Sequence, residues 1–222
     1  MESGSLDITI SNEPFTLLPS RAIHWRSNNT LILSDLHLGK SGHFRKSGIA
    51  APNGINKANI TRLDQLIRQV KPNRLLILGD LFHSDVNREW FQFEEWRKNL
   101  SELSVTLVAG NHDTLHHSFY EAADMIIQHE LQEAGFLFIH DAADAESIES
   151  DFTFSGHIHP GVKLKGKGRQ SLRLPCFFRK NDQLILPAFG EFTGLYVLPE
   201  SEAECVYPIA EDQVLQLRPV QS

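Results

Sequence analysis

Seven side chains of metal-binding type follow short apolar segments of this chain. They are Asp35 and His37, Asp80, Asn111, His140, and His157 and His159. Short apolar segments bounded by turn residues are typical of buried β-strands. Carboxylate and amide oxygens, together with imidazole nitrogens, bind divalent ions such as manganese, iron and zinc. One Asp-x-His pair would be weak evidence, but its repetition in related forms after several strands predicts a metal centre.

The segments between these motifs indicate how the side chains could meet. Helix-like apolar spacing at about 56–70 and at 88–100 alternates with the strand-like segments of the front half, as in parallel sheets. A hairpin is predicted over 6–18, and 119–132 has a mixed pattern. Strand ends at one edge of a sheet converge in space, so we expect one shared site there. The back half is predicted to be mostly strand, with strands at 174–178, 184–188 and 194–198.

The number of candidate ligands suggests two ions. Two carboxylates, four imidazoles and one amide are available, and His112 is left over. One aspartate can bridge two ions about 3.5–4 Å apart, and such a pair attracts phosphate and generates a nucleophile near neutral pH. His112 is suited to protonate a leaving oxygen or to stabilise the phosphate in the transition state. Its neighbour Asp113 could orient the imidazole.

The chain resembles the calcineurin-like metallophosphoesterase superfamily over roughly residues 30–195, in the ordered motifs Asp35-x-His37, Gly79-Asp80, Gly110-Asn111-His112-Asp113, His140 and Gly156-His157-x-His159. The resemblance implies an α/β fold, a two-sheet β-sandwich flanked by helices in four layers. The length of 222 residues favours a single domain over 1–222. The resemblance also implies two divalent metal ions, with manganese expected first and iron or zinc as alternatives.

The same resemblance assigns a role to each motif. Asp35, His37, Asp80 and His159 would hold the first ion, and Asp80, Asn111, His140 and His157 the second. His112 would be the catalytic histidine. The chain departs from the superfamily at Ile139, since glycine is common before the histidine of that motif.

A narrower resemblance is to the bacterial DNA ligase-associated metallophosphoesterases. It is carried by Ser34-Asp35-Leu36-His37-Leu38-Gly39-Lys40 with Phe44-Arg45 and Gly48-Ile49, and by Leu186-Pro187-Ala188-Phe189-Gly190 with Phe192-Thr193-Gly194. That subgroup is linked by gene neighbourhood to an ATP-dependent DNA ligase, a helicase and an exonuclease, which implies a DNA-repair context. Lys40 and Arg45 are therefore candidate substrate-binding residues. The segment 163–181 has seven cationic residues and no acidic one, and is either a solvated face or part of the substrate-binding surface.

Composition limits the other classes of protein. The formal net charge of −7 argues against a general basic surface for nucleic acid, though not against a local one. The sequence contains no run of 18 or more apolar residues, so no transmembrane helix is predicted. The polar N-terminus lacks the pattern of a secretory signal. The two cysteines, Cys176 and Cys205, are far apart in the sequence, which fits a reducing cytoplasm.

These observations favour a two-metal phosphodiesterase that acts on nucleic-acid ends or related phosphodiesters. A phosphodiesterase for a small molecule such as a cyclic nucleotide is the nearest alternative, because few aromatic residues flank the motifs to stack on bases. A non-catalytic adaptor for repair proteins ranks lower, because every expected ligand and His112 are present.

Overall fold

Two packed β-sheets organise the chain, and the computed structural model describes residues 2–39, 55–83, 85–145, 148–166, 170–191 and 193–218. The first sheet has seven strands in chain order: β1 (Leu6–Ile10), β2 (Glu13–Leu18), β3 (Ala22–Trp25), β4 (Thr30–Leu33), β5 (Arg74–Leu78), β6 (Ser104–Val108) and β7 (Ile126–Gln128). Strands β1 to β4 pair antiparallel, whereas β4 to β7 are parallel. The parallel part is connected through the helices α1 (Ile55–Val70), α2 (Arg88–Lys98) and α3 (His117–Ala122).

The second sheet is formed by the back half of the chain. Its strands are β8 (Glu130–Glu133), β9 (Phe136–Ile139), β10 (Phe152–Ser155), β11 (Pro160–Lys165), β12 (Ser171–Lys180), β13 (Gln183–Ile185), β14 (Tyr196–Val197), β15 (Cys205–Ala210) and β16 (Gln213–Val214). They are arranged β14-β11-β12-β13-β10-β9-β8, and β15 pairs with both β12 and β16. Strands β9 and β10 are parallel, and so are β10 and β13. Short 3-10 helices cover Ala142–Ala145 and Glu200–Glu202.

The strands that carry the motifs are buried on both faces. In β4, Leu31 and Leu33 pack with the helices, whereas Ile32 packs between the sheets with Phe136 and Phe154. A strand covered on both faces has no polar side to expose, so it is apolar without interruption. The outer face of the second sheet has a smaller apolar cluster that includes Val162.

The predicted fold class is confirmed, with two mixed sheets and helices packed on them. The predicted helices at 56–70 and 88–100 correspond to α1 and α2. The mixed segment 119–132 contains most of α3, then β7 and the start of β8, so three short elements share a pattern too brief to show one periodicity. None of the helices in the described ranges is long and apolar enough to span a membrane.

Candidate metal centre

The candidate ligands come from both sheets, and the prediction that they share the edge of one sheet is wrong in this respect. Strands β4, β5 and β6 of the first sheet lead to Asp35 and His37, to Asp80, and to Asn111. Strands β9 and β10 of the second sheet lead to the remaining three histidines. The apolar cluster between the sheets holds these ends side by side, because residues of both sheets contribute to it.

Most of the candidate ligands lie in sharp turns of the backbone. Five of the seven have the left-handed φ that non-glycine residues rarely adopt: Asp35 (φ 55°), His37 (49°), Asp80 (52°), His157 (65°) and His159 (52°). Such conformations cost of order 1–3 kcal/mol each and persist where the surroundings enforce them. Here the Asp35 N–H donates to the Gly79 carbonyl at 3.1 Å, and the His37 N–H donates to the Asp80 carbonyl at 2.9 Å.

One set of ligands, which we call the inner group, consists of Asp35, His37 and His159. The Nε2 atoms of the two histidines are 3.1 Å apart, and Oδ1 of Asp35 lies 3.2 Å from His159 Nε2 and 3.8 Å from His37 Nε2. The Asp35 carboxylate is fully buried, and the His37 side chain is only 4% exposed. Three potential ligand atoms therefore converge at a nearly enclosed point.

The other set, the outer group, consists of Asn111, His140 and His157. Nε2 of His140 lies 3.2 Å from Oδ1 of Asn111 and 3.1 Å from Nδ1 of His157. The His157 side chain is 40% exposed, and all three residues line an open cavity of about 380 Å³. The outer group therefore faces solvent, unlike the inner group.

Asp80 lies between the two groups. Its Oδ2 is 3.8 Å from His37 Nε2, and its Oδ1 is 3.5 Å from His140 Nε2. A carboxylate with one oxygen toward each group has the arrangement that a bridge between two ions requires. The same Oδ1 accepts a hydrogen bond from the His112 N–H at 3.0 Å, so Asp80 also positions the candidate catalytic residue.

Hydrogen bonds to other parts of the chain orient the candidate ligands. Nδ1 of His140 lies 2.9 Å from the Leu78 carbonyl, which can only accept, so Nδ1 carries the proton and Nε2 is left as a ligand atom. The His157 N–H donates to Asp35 Oδ2 at 3.1 Å and connects the two sheets. Burial would raise the pKa of Asp35, but the neighbouring His159 and His140 and the Ser34 hydroxyl together hold it below its ordinary value.

Two of the glycines in the motifs leave room for this contact between sheets. Gly79 has a φ of +75°, and a Cβ atom there would overlap the His140 imidazole. A Cβ atom at Gly156 would overlap the Ser34 hydroxyl and approach Asp35 Oδ2 to 2.7 Å. The glycines before Asp80 and His157 are thus explained by a side chain of the other sheet, a reason that is not visible in the sequence.

The side chain that packs against the His112 imidazole is His83, not Asp113 as the sequence suggested. Both oxygens of Asp113 accept backbone N–H groups, from Phe82 at 3.1 Å and from Gly110 at 2.9 Å, so Asp113 holds the loop rather than the His112 imidazole. Burial raises the pKa of Asp113 to about 6. The ring of His83 instead lies against that of His112, with centroids 3.8 Å apart. His83 lies three residues after Asp80, and this position in the sequence already makes it a candidate to support the residues of the metal centre.

The residues present fit divalent ions. Oδ1 of Asp35 is buried and accepts no hydrogen bond from the part of the chain that the structure describes, although a cation would satisfy it. Ligand atoms of Asp35, His37 and His159 lie within 4.8 Å of one another, and so do those of Asp35, Asp80 and His140. The other predicted site residues, Lys40 and Arg45, lie outside the described residues.

Comparison with known proteins agrees with this geometry. The family model for calcineurin-like phosphoesterases matches residues 29–149. The crystal structure of nuclease MPE from Pseudomonas putida is 30% identical, covers 95% of this chain and 100% of that chain, and has a TM-score of 0.80. A phosphoesterase from E. coli is 11% identical over 85% of this chain and 98% of that chain, with a TM-score of 0.47.

A protein of unknown function from Aquifex aeolicus is 18% identical over 63% of this chain and 82% of that chain, with a TM-score of 0.43. No curated protein matches the chain. The family model spans more than half of the 222 residues, and the Pseudomonas putida structure is similar over nearly all of them. The chain therefore belongs to the calcineurin-like phosphoesterase family and is a metal-dependent phosphoester hydrolase.

Proposed function

We propose that this protein is a two-metal phosphodiesterase that cleaves nucleic-acid ends in DNA repair. The observation that carries the proposal is the convergence of six other potential ligands from two sheets around Asp80, with His112 held beside them by its backbone hydrogen bond. The inner group with Asp80 would hold one divalent ion, and the outer group with Asp80 the other. Manganese is the metal we propose from the family resemblance, with iron and zinc as alternatives, because carboxylate and amide oxygens suit manganese whereas imidazole nitrogens suit iron and zinc.

Catalysis would combine the charge of the bound ions with a proton donor that the protein holds in place. Bound divalent ions would supply positive charge that polarises a phosphate and makes water more acidic. Asp80 positions His112 through its backbone, and the ring of His83 limits where the imidazole can turn. From there, His112 can donate a proton to the leaving oxygen or hydrogen-bond a phosphate oxygen in the transition state.

Three observations support a nucleic-acid substrate rather than a small diester. The Pseudomonas putida protein, similar over nearly the whole chain, is a nuclease. The motifs around Asp35 and Gly190 resemble the ligase-associated subgroup. The centre opens on one side through the cavity beside the outer group, which leaves space for a polymer.

An ATP-dependent DNA ligase, a helicase and an exonuclease are the proposed functional partners. Cys176 and Cys205 are buried and unpaired, which supports a reducing cytoplasm as the proposed location.

The test compares manganese-dependent hydrolysis of bis-p-nitrophenyl phosphate, p-nitrophenyl phosphate and a labelled DNA oligonucleotide. We expect the two diesters to be cleaved and His112→Ala to lower turnover by about 10²- to 10⁴-fold with its metal content unchanged. His117→Ala is the matched control, because it removes the same side chain from an exposed position at the start of α3. It should keep wild-type turnover.

Other outcomes would indicate a different function or a different role for His112. Cleavage of the small diester without cleavage of DNA would indicate a small-molecule phosphodiesterase. Full metal content without hydrolysis of any of these substrates would indicate an adaptor. Equal turnover by wild type and His112→Ala would remove the catalytic role of His112.

A further inference from the structure

A two-stranded arm extends from the metal centre. Strand β11 begins at Pro160, directly after the ligand His159, and pairs antiparallel with β12 as far as Lys165 and Ser171. Strand β14 pairs with β11 only at Pro160 and Gly161, and β13 and β15 pair with β12 only from Cys176 onward. Within the described chain, the far part of the arm therefore has no third strand beside it.

Two cations lie directly opposite each other on this arm. Lys163 and Arg173 are cross-strand partners, so their side chains project from the same face, and both residues are exposed. Like charges in this position destabilise a strand pair. No acidic side chain among the described residues forms an ion pair with either one, whereas Arg68 and Lys98 on the helices each pair with an acid one turn away. Among the described residues, this positive pair is therefore uncompensated, on a protein whose net charge is −7.

An anion of the right size would offset this repulsion. Lys163 lies four positions after the ligand His159, which corresponds to at most about 13 Å of extended chain. Phosphates on one strand of DNA are spaced by about 3.4 Å along the helix axis, so a strand bound at the metal centre could bring phosphates several nucleotides away to the arm. A diester with two small substituents is too short to span that distance.

We propose that Lys163 and Arg173 bind backbone phosphates of the nucleic-acid strand several nucleotides from the phosphodiester that is cleaved. This inference rests on the proposed nuclease function and adds a second contact point for the substrate. The contact makes the enzyme prefer longer strands, because only these reach both the metal centre and the arm. Phosphate contacts of this kind position a strand without reading its sequence.

The experiment compares the double variant Lys163→Gln, Arg173→Gln with the matched double variant Arg68→Gln, Lys98→Gln. Both lose two positive charges, but the control residues lie in the last turns of α1 and α2, where helices turn back toward the starts of the parallel strands. Steady-state kinetics are measured with bis-p-nitrophenyl phosphate, a dinucleotide and a single-stranded oligonucleotide of about 12 nucleotides, over about 50–200 mM salt.

We expect the arm variant to raise KM for the long oligonucleotide roughly tenfold and to reduce the slope of log(kcat/KM) against log salt by about 1.4, or about 0.7 for each lost contact. Its kinetics on the dinucleotide and on bis-p-nitrophenyl phosphate should match the wild type. A long-oligonucleotide KM and salt slope equal to those of the control variant would overturn the inference while leaving the nuclease proposal intact. Failure of the wild type to cleave any oligonucleotide would instead reject the proposed function on which the inference depends.

Discussion

The inner and outer groups of candidate ligands differ in access to solvent. In the inner group, Asp35 is fully buried and the His159 side chain is 18% exposed, whereas the His157 side chain in the outer group is 40% exposed. The outer group also borders the cavity, which the side chains of the inner group do not line. An ion held by the outer group would exchange more readily, and a phosphate would approach from that side. We therefore expect an ion in the inner group to be retained more strongly and the substrate to approach from the outer group.

The strongest test of this comparison is Asp80→Asn, since Asp80 lies between the groups. Loss of its charge should weaken both ions and lower turnover by at least about 10³-fold. Metal content by mass spectrometry should fall from two ions toward none. Asp182→Asn, at an exposed turn residue, is the control. Loss of a single ion would mean that the two groups do not share Asp80.

A smaller effect is expected from Gly79→Ala, which should disturb the outer group of ligands but not the inner group. The new methyl group would overlap the His140 imidazole and place alanine at a φ of +75°. A ligand displaced by about 1 Å costs roughly 100-fold in turnover. The outer ion should be lost and the inner ion retained. Gly194→Ala is the control, because nothing lies within 4 Å of a Cβ atom there. Retention of both ions at wild-type affinity would contradict the assigned role of Gly79.

The expected difference in metal exchange between the two groups is tested by comparing His157→Ala with His159→Ala. The first removes an exposed ligand of the outer group, so activity at limiting manganese should fall by about tenfold or more and recover when manganese is raised. The second opens the buried inner group, so excess manganese should not restore its activity. Titration calorimetry gives both affinities. Equal rescue of the two variants would show that the groups do not differ in accessibility.

The smallest effect is expected at His83, whose ring lies closest to His112, with centroids 3.8 Å apart, and farther from the inner-group ligand His37, at 5.8 Å. His83→Ala should lower kcat by several-fold through a less restrained His112, with KM and metal content unchanged. His83→Phe retains a ring against His112 and should stay within about twofold of the wild type. If alanine and phenylalanine lower kcat equally, His83 contributes through its nitrogen atoms and not through packing.

The sequence allowed the ligand-bearing strands to be predicted because they are buried on both faces, so an apolar segment ends abruptly at Asp35 or Asp80. It did not show that the ligands come from two sheets, because the pairing of β9 with β10 joins segments separated by a polar loop. The left-handed turns at the ligands and the packing of His83 on His112 depend on contacts between distant residues. Local patterns carry no record of such contacts.

The short strands at the end of the chain were also beyond prediction. Strands β15 and β16 cover only Cys205–Ala210 and Gln213–Val214. They are defined by the pairing of β15 with β12 and of β16 with β15 rather than by their own pattern. The ends of β12 were missed for a similar reason. The apolar residues at 174–178 marked its buried middle, whereas its exposed polar start at Ser171 belongs to the arm.

The origin of the ligands in both sheets has a thermodynamic consequence. Asp35 and His159 are 124 positions apart in the sequence and belong to different sheets, so they approach each other only when the sheets have docked. A divalent ion that binds them would act as a cross-link between the halves of the sandwich. Metal present at 1,000 times its dissociation constant would add about 4.1 kcal/mol to the free energy of unfolding of the whole molecule. Chelation should therefore lower the melting temperature of both sheets together.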